Sequence, residues 1–424
     1  MRWLLSLACL VSQWTSSAQA APQIVATPNQ STGVYEVGAT VEWTVAITDD
    51  AGPIDGTATY VVKQGGEVEV AHGMLDLNGP AKVSASRTTP GTLLLVVSYK
   101  PSGAGKETIG YGGAAFAPDK IERSTPMPDD FEAFWAAKIA ELDAVPMNLT
   151  LEPVEIGNDK IEYFKVTLDN IRGTKIYGQL AKPKGGKNLP ALLQVQWAGV
   201  YPLNKDWITG YAQGGWLAFN ISAHNLPIDQ PEKFYADQAA KELNDYAGQG
   251  NDDRETAYFL RMFLSCRRAV DMLTQHADWD HKTLVVHGGS QGGYQALVTG
   301  GIHPAVTAVA AVVPAGCDHT GKQAGRSPGW PNWASRTWQG KDEQKMLTAS
   351  RYFDAMNFAS KIKGPTLVGL GLIDTACPAE GVLATCNQIP GPKEIVIMPQ
   401  ADHGGDHTAY QKRFQKFLNS QRRQ

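Results

Sequence analysis

The chain has 424 residues, 43% of them hydrophobic and 19% charged, with a formal net charge of -4. That length points to two or three domains, and that apolar content supplies a large packed core and argues against extended disorder. No basic tract is present to neutralise phosphates or anionic lipid, so nucleic acid and membrane surfaces are excluded as expected partners.

The first twenty residues read as a secretory leader. Arg2 precedes an apolar run from Trp3 to about Val11, and Ala18-Gln19-Ala20 forms a small-residue cleavage site. The run is well short of the roughly 18 residues that a membrane span requires. The mature chain is therefore expected to begin near Ala21 and to be secreted or periplasmic. In such a compartment Cys266, Cys317, Cys377 and Cys386 favour disulfides, with every pairing left open. None of them forms a Cys-x-x-Cys pair, so structural zinc has no support, and neither metal nor organic cofactor is expected.

Residues 21–117 alternate short apolar runs with Gly, Asn, Asp and Pro. Val41, Trp43, Val45 and Ile47 share one face of a strand, and Thr57 to Lys63 and Thr92 to Tyr99 are further strand runs. An immunoglobulin-like β-sandwich is expected, without the internal disulfide of antibody domains. Residues 118–127 are polar and proline-containing and read as a linker. Asp129 or Asp130 then caps a helix whose Phe131, Phe134, Trp135, Ile139 and Leu142 share a face. Strands and helices alternate from there, at Tyr163 to Leu168, Ala191 to Gln196, Trp216 to Ile221, Thr256 to Gln275 and Thr283 to His287. This order predicts an α/β domain over 128–424, with a mainly parallel sheet covered on both faces.

Thr283 to His287 is a buried-strand run, and Gly288-Gly289-Ser290-Gln291-Gly292-Gly293 follows at once before a helix. Strand, G-x-S-x-G, helix is the nucleophile elbow of α/β-hydrolases, in which small neighbours let the backbone turn sharply beneath the serine. A serine hydroxyl needs a base and an orienting acid, here in the chain order Ser, acid, His. The histidines after Ser290 are His303, His319, His403 and His407. His403 follows the strand Lys393 to Met398 through a short loop and precedes Gly404-Gly405, where a base belongs; His407 is its competitor. The intervening acids are Asp318, Asp342, Glu343, Asp354, Asp374, Glu380, Glu394 and Asp402. Only Asp374 directly ends a strong apolar strand, Thr366 to Ile373, so Asp374 is the expected acid. The oxyanion needs two donors. The Gln291 amide is one, and Ala198 or Gly199, in the loop after Ala191 to Val195, is the other. Tyr201, Trp207, Trp330 and Trp333 are candidate sugar-binding aromatics, with Trp338 beside them, although aromatics equally serve to pin irregular loops.

These residues resemble the acetyl xylan esterase and cephalosporin C deacetylase family, carbohydrate esterase family seven, over about residues 126 to 420. The likeness is carried by Pro128-Asp129-Asp130-Phe131 with Phe134-Trp135, and by Tyr258-Phe259-Leu260-Arg261 to Arg268-Ala269-Val270-Asp271. It continues in the serine elbow, Gly371-Leu372-Ile373-Asp374-Thr375-Ala376-Cys377-Pro378, Gly391-Pro392-Lys393-Glu394-Ile395 and His403-Gly404-Gly405. The resemblance implies that Ser290, Asp374 and His403 form a triad, that the Trp197-Ala198-Gly199 loop supplies the second oxyanion amide, and that the substrate is an acetylated carbohydrate such as xylan. Two departures stand out: Ala198 occupies a place where the family usually carries tyrosine, and Asn220 to Asn225 replaces its Asp-x-Arg-Gly-x-Gly segment. They bear on substrate preference and on the family's ring-shaped hexamer, so a homo-oligomer is an open expectation. A peptidase of the prolyl oligopeptidase type shares the elbow and the chain order, but its propeller cannot be built from a sandwich of this length. A sugar-binding protein with a relic hydrolase domain is the non-enzyme alternative.

Overall fold

The computed structural model describes residues 22–49, 54–102, 105–333 and 340–422. The leader-like segment and Trp338 therefore lie outside the described residues.

The N-terminal region is two sheets around one core. One sheet has the order β1 (Gln23–Pro28), β3 (Thr40–Thr48), β6 (Ala81–Ser86). The other has the order β2 (Val34–Tyr35), β8 (Thr108–Phe116), β7 (Gly91–Pro101), β4 (Gly56–Gln64), β5 (Val68–Leu75). Val41, Trp43 and Val45 on β3 point inward with Val62, Leu93, Leu95 and Val97 from the facing sheet. That is the period-two pattern expected of half-buried strands.

The expected linker is instead docked on the catalytic domain. Ile121 is buried, and the Asn387 side-chain amide donates to the carbonyls of Pro118 and Ile121 at 2.8 and 2.9 Å. A free linker would leave an apolar side chain in water. This one has a partner for both its apolar and its backbone groups.

The catalytic domain is a nine-stranded sheet among the described residues. Three strands at one side run antiparallel to their neighbours: β9 (Thr150–Pro153), β10 (Ile161–Asp169) and β11 (Lys175–Pro183). The rest form a parallel block in the order β13 (Leu217–Ile221), β12 (Leu189–Gln194), β14 (Trp279–Gly289), β15 (Ala308–Val312), β16 (Thr366–Gly371), β17 (Lys393–Met398). β13 and β16 are buried at every position, as strands covered on both faces must be.

Helices α1 (Phe131–Asp143), α4 (Tyr258–Gln275), α5 (Gln291–Ile302), α7 (Ala355–Ala359) and α8 (Ala379–Asn387) share the larger core with one face of the sheet. Helices α2 (Asp206–Gln213) and α9 (Thr408–Gln421) close the other face through Ile208, Ala212, Tyr410, Phe414 and Leu418. Two shorter helices, α3 (Glu232–Ala240) and α6 (Glu343–Ser350), complete the domain. Asp130 begins α1 but does not cap it; its carboxylate goes to Arg254 and the Tyr352 hydroxyl. The loops after β12, β14, β16 and β17 gather at the carboxyl ends of the parallel strands, the edge where open α/β sheets carry their sites.

No disulfide forms among the four cysteines that the sequence pointed to. Cys266, Cys317, Cys377 and Cys386 are all free and buried. They pack as small apolar side chains, and burial pushes the Cys266 and Cys386 thiols up to about 12. The melting temperature is accordingly expected to be the same with and without reductant; a drop of several degrees on reduction would contradict free thiols.

Candidate active site

Ser290 sits at the junction of β14 and α5 with φ 55° and ψ -123°, outside the region an L-residue prefers. Such a backbone costs about 1–3 kcal/mol and survives because its surroundings fix it. Its N–H donates to the Val312 carbonyl at 2.9 Å, and its own carbonyl accepts from the Ala315 amide at 3.0 Å. The flanking glycines are steric necessities: a Cβ on Gly288 would lie 2.5 Å from the Gly292 carbonyl carbon, and one on Gly292 would lie 2.5 Å from the Val195 carbonyl oxygen.

From this turn a chain of hydrogen bonds runs through three loops. Ser290 Oγ lies 2.8 Å from His403 Nε2, and His403 Nδ1 lies 2.8 Å from Asp374 Oδ2. Asp374 Oδ1 accepts from the amides of Ala376 and Cys377 at 2.9 and 2.7 Å, so the carboxylate is buried yet fully partnered. The Asp374 hydrogen bond holds the His403 imidazole above its ordinary pKa, against the opposing effect of partial burial. Since Asp374 is the acceptor, Nδ1 carries the proton and Nε2 presents a lone pair to the serine hydroxyl.

The other candidates are occupied elsewhere. His407 Nε2 donates to the Asp402 carbonyl, and His303 Nε2 donates to Asp271. His319 is buried against Trp333 and pushed down to about 3 by desolvation. Asp342 and Asp354 cap α6 and α7, Glu394 pairs with Arg413, and Asp318 and Glu380 both grip Arg326. Glu343 and Asp402 are exposed.

The loop Gln196–Tyr201 lies beside the elbow and is tied to it by side chains that the sequence reading did not single out. Tyr246 Oη donates to Gln291 Oε1 at 2.6 Å and accepts from the Gly199 amide at 3.3 Å. Gln295 Nε2 donates to the Gln196 carbonyl at 2.9 Å. Burial pushes His224 down to about 4, so it is neutral, and its Nε2 donates to the Gly199 carbonyl at 2.9 Å while Nδ1 accepts from Tyr258 Oη at 2.7 Å. Gly199 thus has both backbone groups engaged, and its φ of 125° favours glycine. The Ala198 and Gln291 amides have no protein acceptor among the described residues. Of the two alternatives in this loop, Ala198 is the one with a free donor. No sequence motif marked Tyr246, and His224 stood out only as part of the Asn220 to Asn225 departure; both act only through the folded loop.

The candidate aromatics divide. Trp333 is 1% exposed, donates from Nε1 to the Ala247 carbonyl at 2.6 Å and packs against Phe259, Phe353 and His319. It therefore offers no face to a sugar, contrary to its place among the sugar-binding candidates. Trp333→Ala is expected to destabilise the fold by about 3–5 kcal/mol, read as a shift in the denaturant midpoint, with KM of the surviving fold unchanged. Trp330 is half-buried beside Tyr246 and Phe259. Tyr201 and Trp207 are half-buried too, and between them stands Trp197, 43% exposed, stacked on Tyr201 at 5.2 Å and meeting Trp207 edge-on at 4.9 Å.

One donor set could be mistaken for a metal centre: Asp374, Cys377 and His403 place ligand atoms within 4.8 Å of one another. The carboxylate and imidazole are already bonded to each other, and burial together with the Asp374 charge keeps the thiol protonated. The chemistry of that set suits proton transfer better than metal binding.

Fold and geometry together define an α/β-hydrolase of the serine type. The chain belongs to the acetyl xylan esterase (AXE1) family, whose model matches residues 119–421. It is 34% identical over 292 residues to acetyl esterase Axe7A of Xylanibacter ruminicola; the match covers 68% of this chain and 66% of that protein's length. Among solved structures, the acetyl xylan esterase from Paenibacillus sp. R4 shares the fold with a TM-score of 0.62 at 24% identity, covering 72% of this chain and 98% of that one. Acetyl xylan esterase 1 from Thermoanaerobacterium sp. JW/SL YS485 does so with a TM-score of 0.60 at 21% identity, covering 70% and 96%.

Proposed function

We propose that the protein is an exported esterase that removes O-acetyl groups from carbohydrate, with acetylated xylan and xylo-oligosaccharides as its substrates. The observation that carries this reading is the unbroken hydrogen-bonded chain from Ser290 through His403 to Asp374, in a member of the acetyl xylan esterase family. Export rests on the leader-like first twenty residues.

In this mechanism Ser290 Oγ attacks the acetyl carbonyl carbon as His403 Nε2 takes the hydroxyl proton. Charge gathers on the former carbonyl oxygen, where the free amides of Gln291 and Ala198 receive it. Collapse expels the sugar oxygen, which takes the proton from His403, and leaves acetyl-Ser290. Water, deprotonated by the same imidazole, then attacks the acetyl carbon; the bond to Ser290 breaks as the imidazolium returns its proton to Oγ, and acetic acid leaves and ionises to acetate. Asp374 stays ionised throughout and stabilises the imidazolium. Tyr246 and His224 hold the Gly199 loop in register with the elbow, so that the second amide needs no rearrangement when charge develops.

The Trp197 ring next to Ala198 is the natural platform for the sugar behind the ester, with Tyr201 and Trp207 bracing it and Trp330 bordering the site through Tyr246. Trp197→Ala is expected to raise KM for an acetylated xylo-oligosaccharide about fivefold, in line with an aromatic contact of roughly 1 kcal/mol, and to leave KM for 4-nitrophenyl acetate unchanged. The substrate assignment is tested by acetate release from acetylated xylan, glucomannan, pectin and acetylated monosaccharides. Brisk hydrolysis of 4-nitrophenyl acetate with no acetate from any of the carbohydrates would sink it.

A further inference from the structure

The sandwich shows no chemistry of its own, yet it touches the catalytic domain at the two loops that carry the acid and the base. On β8, Gly113 has no room for a side chain: a Cβ there would lie 2.4 Å from Leu372 Cβ and 2.5 Å from the Leu372 carbonyl oxygen. Leu372 stands two residues before Asp374. Gly33 packs on the same residue, its Cβ position lying 2.7 Å from Leu372 Cδ1 and 3.2 Å from Pro399 Cβ. The next residue, Gln400, donates from Nε2 to the Ala26 carbonyl on β1 at 3.1 Å, three residues before His403.

The far end of the acid loop is gripped as well. Glu380, in the first turn of α8, is buried and accepts from the Thr92 amide at 2.6 Å and the Thr92 hydroxyl at 3.0 Å, both on β7. Arg326 closes on the other oxygen of Glu380 at 3.0 Å, and Arg87 stands 3.5 Å away. A buried carboxylate held by three hydrogen-bond donors, with a second arginine nearby, is a rigid anchor, because loss of a partner leaves charge unpaired in a dry setting. Residues 372–380 are thus clamped by the sandwich before and after Asp374, and the His403 loop is clamped at its entry.

We infer that the N-terminal sandwich is a positioning domain for the catalytic pair, setting the distance between Asp374 and His403 through Gly113, Gly33 and the Gln400–Ala26 hydrogen bond. This inference rests on the triad reading above. It assigns the sandwich a role in turnover rather than in binding sugar. Its residues act through others and touch no substrate.

A glycine on the outer strand β5 offers a comparison. A Cβ on Gly73 would press only on the Tyr60 ring within the sandwich, at 2.7 Å, whereas one on Gly113 presses outward on the acid loop. Gly113→Ala is expected to lower kcat for 4-nitrophenyl acetate about tenfold or more with KM within about twofold, since small misplacements of catalytic groups are costly in rate. The acidic limb of its kcat/KM profile is expected to move to lower pH, because His403 loses the Asp374 hydrogen bond that raises its pKa. Asp402 is the other carboxylate facing that imidazole. Gly73→Ala is expected to lower the melting temperature and keep both kcat and the pH profile.

Gln400→Ala removes one hydrogen bond without crowding and is expected to show a smaller fall in kcat with the same pH shift, which keeps the test valid should Gly113→Ala not fold. Wild-type kcat and pH profile in Gly113→Ala and Gln400→Ala, or equal losses in Gly73→Ala and Gly113→Ala, would overturn the inference. Failure of the triad reading itself shows separately, as activity that survives Ser290→Ala.

Discussion

Replacing Ser290 with alanine is expected to lower kcat for 4-nitrophenyl acetate by about ten-thousand-fold or more, the scale on which serine hydrolases respond to loss of the nucleophile. The fold has no reason to suffer, because the hydroxyl is bonded to His403 alone and the elbow is held by backbone groups, the Val312 carbonyl and the Ala315 amide. Alanine tolerates the strained turn about as well as serine, so the melting temperature should stay within a degree or two. Any residual hydrolysis would come from the Gln291 and Ala198 amides polarising the ester for attack by water. A fluorophosphonate probe should label the parent protein and leave the variant unmarked. Labelling or turnover that persisted in the variant would place the nucleophile elsewhere.

Asp374→Asn is expected to cost about ten-thousand-fold in kcat with little change in stability. Asparagine can keep the two contacts to the amides of Ala376 and Cys377 through its oxygen, so the loop has no cause to move. Its NH2 group then faces His403 Nδ1 and donates where the carboxylate accepted. That forces the imidazole proton onto Nε2, the atom that must be bare to take the serine proton. The pH dependence carries a second signature. His403 works only when neutral, so kcat/KM in the parent rises with pH through an imidazole pKa held above its ordinary value by Asp374. In the variant that support is gone, so the limb moves to lower pH even as the plateau falls. A variant whose limb stayed in place would show that the carboxylate does not set the basicity of His403.

Ser290, Asp374 and His403, which the fold joins in one hydrogen-bonded chain, could be picked out of the sequence because the fold announces such positions locally. A sharp strand-to-helix turn needs glycines at fixed spacing around the serine, and an acid or base at the tip of a parallel strand follows an apolar run that can be read by eye. Asp374 stood apart from seven other acids on that ground, and the structure gives those seven other duties or leaves them exposed. The sandwich was legible from alternation for the same reason. What escaped was whatever depends on contacts distant in the chain. Cys266 lies on α4 and Cys386 on α8, and nothing in their spacing says that each is enclosed by core side chains rather than facing a partner. Trp333 and Trp197 are the same residue type near the same site, yet one is sealed beneath His319 and the other stands in solvent. Tyr246 belongs to no motif and His224 only to a segment that departs from the family pattern; their part in holding the Gly199 loop exists only once the turn before α4 and the loop after β13 have met. The linker expected over 118–127 likewise owes its docking to Asn387, far downstream.

The exposed Trp197 indole has a practical consequence. Among the described tryptophans, Trp197 is the one exposed to solvent, while Trp43, Trp135, Trp216, Trp279 and Trp333 are enclosed. Its emission should sit toward the red side of the protein's fluorescence and be open to quenching by iodide. A sugar ring that covers it would shift that emission to the blue and shield it from iodide. The protein therefore carries its own optical reporter of occupancy, usable in the Ser290→Ala background where substrate binds without being consumed.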